Sequence, residues 1–167
     1  LTGTITGSAG AAFKYGSNTD SDVTLNGLTI QNNAIGIDAD GTGDFTLTDV
    51  AMSNTKDVVI SGSSVMDYIE GTIDTSTVEV TGTGEFLRMR QVDVTVQANV
   101  SGIAEDVVGT NVVLKDASGE VTGMAETDAN GVAYDMTFTT QTIDSGSCAS
   151  VCVLSLGGYS AVAVAKI

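Results

Sequence analysis

Residues 23–50 read VTLNGLTIQNNAIGIDADGTGDFTLTDV, and this stretch decides the fold class. Aliphatic residues alternate with polar ones, and glycine, asparagine and aspartate interrupt the alternation every few residues, as in short β-strands joined by turns. The pair Val23 and Leu25 recurs 22 residues later as another pair of apolar residues, which marks the start of a repeat. Helical periodicity is nearly absent from the chain, so an all-β protein is predicted.

The repeat continues to residue 94 with offsets of 22, 21 and 21 residues. Four stacked columns are predicted: Val23, Phe45, Met66 and Leu87; Leu25, Leu47, Tyr68 and Met89; Leu28, Val50, Gly71 and Val92; Ile30, Met52, Ile73 and Val94. A second strand per repeat is predicted at 34–37, 58–60 and 78–80, with Phe13 and Tyr15 near its columns. A period just above 20 predicts a parallel β-helix of about four coils, because a single coil cannot bury its own apolar face.

Stacking of coils also places polar residues above one another. Asn32 and Asn54 are 22 residues apart and are expected to begin an asparagine ladder. Asp67 and Arg88 are 21 residues apart and are expected to be neighbours on the outer surface, where they could form an ion pair. The stretch 23–50 resembles the right-handed parallel β-helix repeats of pectin-lyase-like proteins, a resemblance that extends over about residues 1–90. The right-handed coil is an implication of this resemblance.

The period fails after about Val96, and residues 112–138 alternate strands with tight turns instead. Asn130-Gly131 predicts a hairpin turn, and residues 159–167 alternate as a closing strand should. The pattern LKDASGEV…ETDANGVA resembles the Ig-like or carboxypeptidase-regulatory-like β-sandwich modules of microbial surface proteins. That resemblance implies a spacer or adhesive role and supplies no catalytic residue. The predicted architecture is a short parallel β-helix over residues 1–95 and a small antiparallel β-sandwich over residues 96–167.

Charge and composition exclude several classes of function. The 167 residues include 21 acidic and 6 basic side chains, a net charge of −15, and no histidine. The absence of histidine excludes Ser-His-Asp and Cys-His catalysis and His-ligated zinc. The negative charge argues against nucleic acids and anionic membranes as partners, and no apolar run reaches the ~18 residues of a membrane span. The acidic, lysine-poor composition is typical of secreted, marine or salt-adapted proteins, and an extracellular location is predicted. Because Leu1 falls in mid-pattern, the chain is expected to be a piece of a longer protein.

One acidic stretch, DADGTGDFTLTD at 38–49, has the spacing of an EF-hand loop. Its candidate Ca²⁺ ligands are Asp38, Asp40, Thr42, Asp44 and Asp49. The flanking residues have the pattern of strands, so an ordinary acidic turn between coils is the alternative interpretation. A weaker hypothesis adds Asp20 and Asp22 from the preceding coil. The sequence suggests no cofactor other than Ca²⁺.

Two further sequence features bear on the compartment. Cys148 and Cys152 are expected to form a small disulfide loop, which implies an oxidising environment, and two buried thiols are the alternative. Asn99 begins the triplet Asn-Val-Ser, a candidate for N-glycosylation.

A polysaccharide lyase or hydrolase of this fold would need its catalytic groups among the clustered charges of residues 67–90. Arg88 and Arg90 are the only clustered cations, and Asp67, Glu70 and Asp74 are the acidic residues near them in sequence. A solvated surface is the preferred interpretation, because the spacing does not make these groups converge and a fold alone does not carry a function. No catalytic residue is predicted.

The function predicted from sequence is that of a non-enzymatic, extracellular structural or adhesive surface protein. Open ends of a β-solenoid must be capped or paired, so self-association or binding to other surface proteins is expected, with a filament or envelope subunit as one form. The alternative is a carbohydrate-binding or carbohydrate-active module from a larger secreted protein.

Overall fold

The computed structural model describes residues 2–115, 119–145, 154–155 and 160–164. These residues form β-strands, with one three-residue 3-10 helix at Thr75–Thr77 and no α-helix, which confirms the all-β prediction. In chain order the strands are β1 (Gly3–Thr6), β2 (Ala11–Tyr15), β3 (Val23–Asn26), β4 (Leu28–Gln31), β5 (Ile35–Ala39), β6 (Phe45–Thr48), β7 (Ala51–Ser53), β8 (Lys56–Ile60), β9 (Val65–Ile69), β10 (Val78–Val80), β11 (Glu85–Thr95), β12 (Gln97–Val100), β13 (Ile103–Asp106), β14 (Asn111–Lys115), β15 (Val121–Glu126), β16 (Val132–Asp144), β17 (Leu154–Ser155) and β18 (Ser160–Val164).

The described residues belong to two compact units. The first lies within Leu1–Met89 and Gln141–Ser155, and the second lies within Arg90–Thr140 and Leu156–Ile167. The boundary between residues 95 and 96 remains a prediction, because compactness alone does not show which segments fold independently.

The first unit contains the predicted solenoid of about four stacked coils. Its strands form three parallel stacks, in the orders β1-β4-β7, β2-β5-β8-β10 and β3-β6-β9-β11, and β16 and β17 extend the third sheet. Pairing of Val23 with Phe45 and of Phe45 with Met66 confirms the first predicted column over three coils. The inward residues Ile30, Ile37 and Leu47 are fully buried, so the apolar columns form one continuous core.

The first coil, whose path was the least regular in sequence, follows the same architecture. Strand β2 pairs in parallel with β5, so that Phe13 lies beside Ile37 and Tyr15 beside Ala39. The prediction that these two aromatic residues belong to the second-strand columns is therefore confirmed.

The predicted register of the last coil is wrong by one residue. The partners of Met66 and Tyr68 are Phe86 and Arg88, at a step of 20 residues, where the repeat predicted Leu87 and Met89. A shift of one residue in register moves every side chain of a strand to the opposite face. The fully buried Phe86 shows that the face of Phe86, and not that of Leu87, points into the core. For the same reason, the residue beside Asp67 is Leu87, whereas the repeat predicted Arg88 at that position.

The second unit is built from antiparallel strands. Strands β12 and β13 form a hairpin, and β14 pairs with both β15 and β18. Its core contains Val112, Leu114, Ala133 and Met136. The partly buried Val92, Val94 and Val96 pack against that core, so Val92 and Val94, predicted as members of the coil columns, belong to this unit instead. An Ig-like two-layer arrangement of these strands remains a prediction.

The predicted hairpin turn before β16 is present, and the side chain of Asp128 stabilises it. Asp128 Oδ1 accepts the backbone N–H groups of Asn130 at 2.8 Å and Val132 at 3.0 Å, and these bonds lower the pKa of the Asp128 carboxyl. Gly131 has a φ of 71°, a backbone conformation in which glycine carries no steric cost.

Candidate functional site

The predicted Ca²⁺ ligands are distributed over strand β5, the turn that follows it and the bend after β6. Asp38 lies on β5, where its Oδ2 is 2.8 Å from Lys14 Nζ, and this contact raises the pKa of Lys14. Asp40 Oδ1 accepts a hydrogen bond from Ser61 Oγ at 3.2 Å in the next coil. Each of these two carboxylates thus has a hydrogen-bond partner outside the predicted Ca²⁺ loop.

The remaining members of this set point to the same conclusion. Asp44 Oδ1 accepts the backbone N–H of Val65 at 2.8 Å, Thr42 is exposed, and Asp49 occupies a turn with a φ of 52°. The described residues contain no group of three or more Asp, Glu, His or Cys side chains that could hold a metal ion. The structure places these residues one by one in contacts between coils and does not bring them together around a common centre.

The acidic loop is one copy of a repeated turn. The sequences DGTGD at 40–44, SGSSV at 61–65 and TGTGE at 81–85 occupy the same corner of successive coils. A Cβ atom on Gly62 would lie 2.1 Å from Gly41 O, and one on Gly82 would lie 2.0 Å from Gly62 O. Glycine is therefore required where coils approach most closely. The 21- and 20-residue spacing of these turns was visible in the sequence and would have given the correct register of the last coil.

A polar ladder, buried at Asn33 and Asp57, lies at a second corner. Asn33 Nδ2 donates to Asn54 Oδ1 at 2.9 Å, and Asn54 donates to Asp57 Oδ1 from both its backbone N, at 2.7 Å, and its Nδ2, at 2.9 Å. Asp57 Oδ2 accepts from Thr77 Oγ1 at 2.8 Å, so the ladder reaches the fourth coil. The predicted ladder exists, but its first asparagine is Asn33. Asn32 has a φ of 57° and is exposed.

An open depression of about 550 Å³ lies over this ladder. It is lined by Asn32, Asn33, Ala34, Ser53, Asn54 and Thr55. The lining side chains are uncharged, in a chain with a net charge of −15. The amides of Asn33 and Asn54 are occupied by the ladder, whereas Asn32, Ser53 and Thr55 are exposed. The depression can offer hydrogen bonds to a neutral polar ligand, and its lining contains no side chain that titrates near neutral pH.

Negative charge concentrates beside the turn of the first coils. Asp22 Oδ1 accepts the backbone N–H of Asp44 at 3.0 Å, so the predicted stacking of Asp22 near Asp44 is observed. Burial, and then the carboxylates of Asp20, Asp22 and Asp44, raise the pKa of Tyr15, whose hydroxyl donates to the carbonyl of Ser21. Burial, and then Asp44, raise the pKa of the Asp67 carboxyl.

The Asp67→Asn variant should be more stable than the wild type at neutral pH. A folded-state pKa above the ordinary 3.8 means that the cost of ionising Asp67 is absent well below that value and is complete above the raised pKa. The gain at pH 7 should be less than about 1 kcal/mol, because the half-buried carboxylate is screened by solvent. Urea unfolding at pH 7 and at about pH 3 measures the difference. An equal difference at both values of pH would contradict relief of charge as its cause.

The charged residues proposed for polysaccharide cleavage lie on strands β9 and β11 and at two turns. Arg88 and Arg90 both belong to β11, where Arg88 lies in register with Tyr68. Glu70 occupies a turn with a φ of 55°. Asp74 Oδ1 accepts the Ser76 hydroxyl at 2.7 Å and the Ser76 backbone N–H at 3.0 Å, and these two bonds lower the pKa of Asp74. The contacts of Asp74 give its carboxylate a structural role at this turn.

The glycosylation candidate Asn99 lies on the exposed hairpin of β12 and β13. Its Oδ1 accepts the backbone N–H of Gly102 at 2.8 Å. Cys148 and Cys152, predicted to form a disulfide, lie outside the described residues.

No helix among the described residues is long and apolar enough to cross a membrane. No protein-family model, curated protein or solved structure matches the chain.

Proposed function

We propose that this chain is a non-enzymatic structural or adhesive component of an extracellular surface. The observation that carries the proposal is the use of its polar side chains to join coils. Asn54 accepts a hydrogen bond from Asn33 of the preceding coil, and Asp57 accepts one from Thr77 of the following coil. Asp44 accepts a backbone N–H of the coil that follows it. Among the described residues, no buried side-chain polar atom lacks a hydrogen-bond partner.

The pairing of charges between coils supports the same role. Lys14 and Lys56 project from one sheet, and each forms an ion pair with an acid one coil away, Asp38 and Glu79 respectively. Groups that a catalytic site would present to a substrate are here engaged in holding the stack together. The acidic composition supports an extracellular location, and the edge strands of the stack support association with copies of the chain or with other surface proteins.

A second candidate function is binding of a neutral saccharide. The uncharged depression over the asparagine ladder favours it, because amides and hydroxyls match the hydrogen-bonding groups of sugars. A saccharide that perturbs the NMR signals of Asn32, Ser53 and Thr55 would support this candidate.

Surface location and self-association are tested by two separate measurements. Immunogold labelling of intact source cells should place the protein at the cell surface, and labelling only after permeabilisation would contradict the proposal. Negative-stain electron microscopy of the untagged protein at high concentration should show ordered oligomers. Monodisperse particles of one-chain size would count against self-association and leave the surface location to stand on the labelling.

A further inference from the structure

The hairpin of β12 and β13 forms a sheet of its own in the second unit. No further strand of the described residues pairs with it, and every residue of both strands is exposed. Ser101 and Gly102 join the two strands with φ values of 54° and 87°, the positive values that a type I′ turn requires. A two-stranded hairpin without a covered face or edge leaves its backbone groups and apolar side chains open to other chains.

The two edges of this hairpin differ in charge. Strand β13 carries Glu105 and Asp106, which oppose pairing with another strand, whereas β12, with the sequence QANV, carries no charge. Val107 N–H donates to Val96 O across the hairpin. Because hydrogen-bonded and non-hydrogen-bonded pairs alternate along an antiparallel ladder, the backbone N–H and C=O of Asn99 point away from β13. Asn99 therefore lies on an open edge that charge does not protect.

Apolar side chains are exposed beside Asn99. Val100 and Ile103 form the cross-strand pair next to the turn, and they are 47% and 66% exposed. Exposed apolar residues next to an unprotected strand edge favour aggregation. A bulky hydrophilic group on Asn99 would oppose it, because such a group keeps other strands from the edge.

The amide of Asn99 has the surroundings that such a modification needs. Asn99 begins the triplet Asn-Val-Ser, and no other asparagine of the chain is followed two positions later by serine or threonine. Its Oδ1 accepts the backbone N–H of Gly102 at 2.8 Å, whereas its Nδ2 donates no hydrogen bond among the described residues. By contrast, Asn33, Asn54 and Asn130 each donate from Nδ2 to a neighbouring side chain.

We infer that Asn99 is an N-glycosylation site whose glycan keeps other chains from the edge of β12 and from the apolar pair beside it. This inference rests on the extracellular location in the proposed function, since N-glycans of this kind are carried by surface loops of secreted proteins. The glycan is bulky and solubilising, and on an exposed residue it displaces no packed side chain.

The reaction is a group transfer to the amide nitrogen. Asn99 Nδ2 attacks the anomeric carbon of an oligosaccharide that is linked to a lipid diphosphate, in the active site of a transferase. The new C–N bond forms as the bond from the anomeric carbon to the diphosphate oxygen breaks. The amide nitrogen releases one proton, and the lipid diphosphate is the leaving group.

Mass spectrometry of the protein isolated from its source cells tests the site. Trypsin cleaves after Arg90 and Lys115, so Asn99 falls in the peptide 91–115. This peptide should carry an oligosaccharide, and a peptide N-glycosidase should release it and convert Asn99 to aspartate. Fragmentation distinguishes this position from Asn111, the other asparagine of the peptide. An unmodified peptide, or a sugar on another residue, would overturn the inference.

Three variants produced in the same cells test the acceptor and the role of the glycan. Asn99→Gln removes the acceptor nitrogen and Ser101→Ala removes the hydroxyl of the triplet, so both should lose the oligosaccharide. Asn111→Gln, which leaves the triplet intact, is the matched control and should keep it. By light scattering, the two variants that lack the glycan should aggregate at a lower concentration than the control. Loss of the sugar without any gain in aggregation would overturn the protective role.

Immunogold labelling of the same cells separates this inference from the proposed function. Surface labelling together with an unmodified peptide 91–115 would overturn the inference alone. Labelling only inside the cells would contradict the proposed function, whereas a sugar on Asn99 of that protein would still support the glycosylation site.

Discussion

The Gly62→Ala variant is expected to lose about 3 kcal/mol or more of its free energy of unfolding, enough to unfold a marginally stable domain. Its Cβ would lie 2.1 Å from Gly41 O and 2.7 Å from Asp40 C. Both are backbone atoms of the neighbouring coil, so relief requires the coils to separate. Separation would weaken the contacts at this corner, where Ser63 N–H donates to Gly41 O at 3.1 Å.

Gly10→Ala is the matched control for this prediction. A Cβ at Gly10 meets no atom within 4 Å, and the residue does not have a positive φ. Its stability should stay within about 0.5 kcal/mol of the wild type. Urea unfolding monitored by circular dichroism measures both variants. A Gly62→Ala protein as stable as Gly10→Ala would mean that the coils at this turn lie farther apart than the structure shows.

The Asp57→Ala variant is expected to lose about 2–4 kcal/mol of its free energy of unfolding. The Asp57 carboxylate accepts two hydrogen bonds from Asn54 and one from Thr77 Oγ1, and the residue is 1% exposed. Alanine leaves these donors without their acceptor in a place that water reaches poorly. The damage should spread to the third and fourth coils, which this carboxylate joins.

Two further variants separate the network from a simple loss of charge. Asp57→Asn keeps the shape and one acceptor oxygen, so its loss should be smaller than that of Asp57→Ala. Asp40→Ala removes an exposed carboxylate and should change stability by about 0.5 kcal/mol or less. Chemical denaturation of the three proteins gives the comparison. Equal losses in Asp40→Ala and Asp57→Ala would show that net charge, and not the buried ladder, controls stability.

The sequence predicted the inner columns well where the offset between coils was constant. The column of Val23 and Phe45 needed only apolar periodicity, because a residue that faces the core in one coil faces it in the next. The prediction failed at Phe86, where the chain shortens its step by one residue. Leu87 and Phe86 are both apolar, so hydrophobicity alone could not choose between them. Only the glycine of the repeated turn, at residues 41, 62 and 82, carried the missing information.

The candidate site was less predictable, because its residues act through neighbours that are distant in sequence. The spacing of Asp38 and Asp40 matched a Ca²⁺ loop, yet their partners are Lys14 and Ser61, 24 and 21 residues away. A linear motif assumes that its members converge. In a β-solenoid, the residues of such a motif are spread along the coil, and each side chain contacts the coil above or below it.

The sequence by itself determined the β-class, the coil period and the inward columns, since these follow from alternation and repetition of apolar residues. Only the tertiary structure decided which asparagine joins the ladder, which step is shortened and which segment covers the last coil. Asn32 and Asn33 are adjacent and chemically identical, and backbone conformation turns the first outward and the second inward. Ile143 covers the last coil although more than 50 residues separate it from Phe86. The physical reason is that periodicity is a local property, whereas register and capping depend on contacts between segments that only folding brings together.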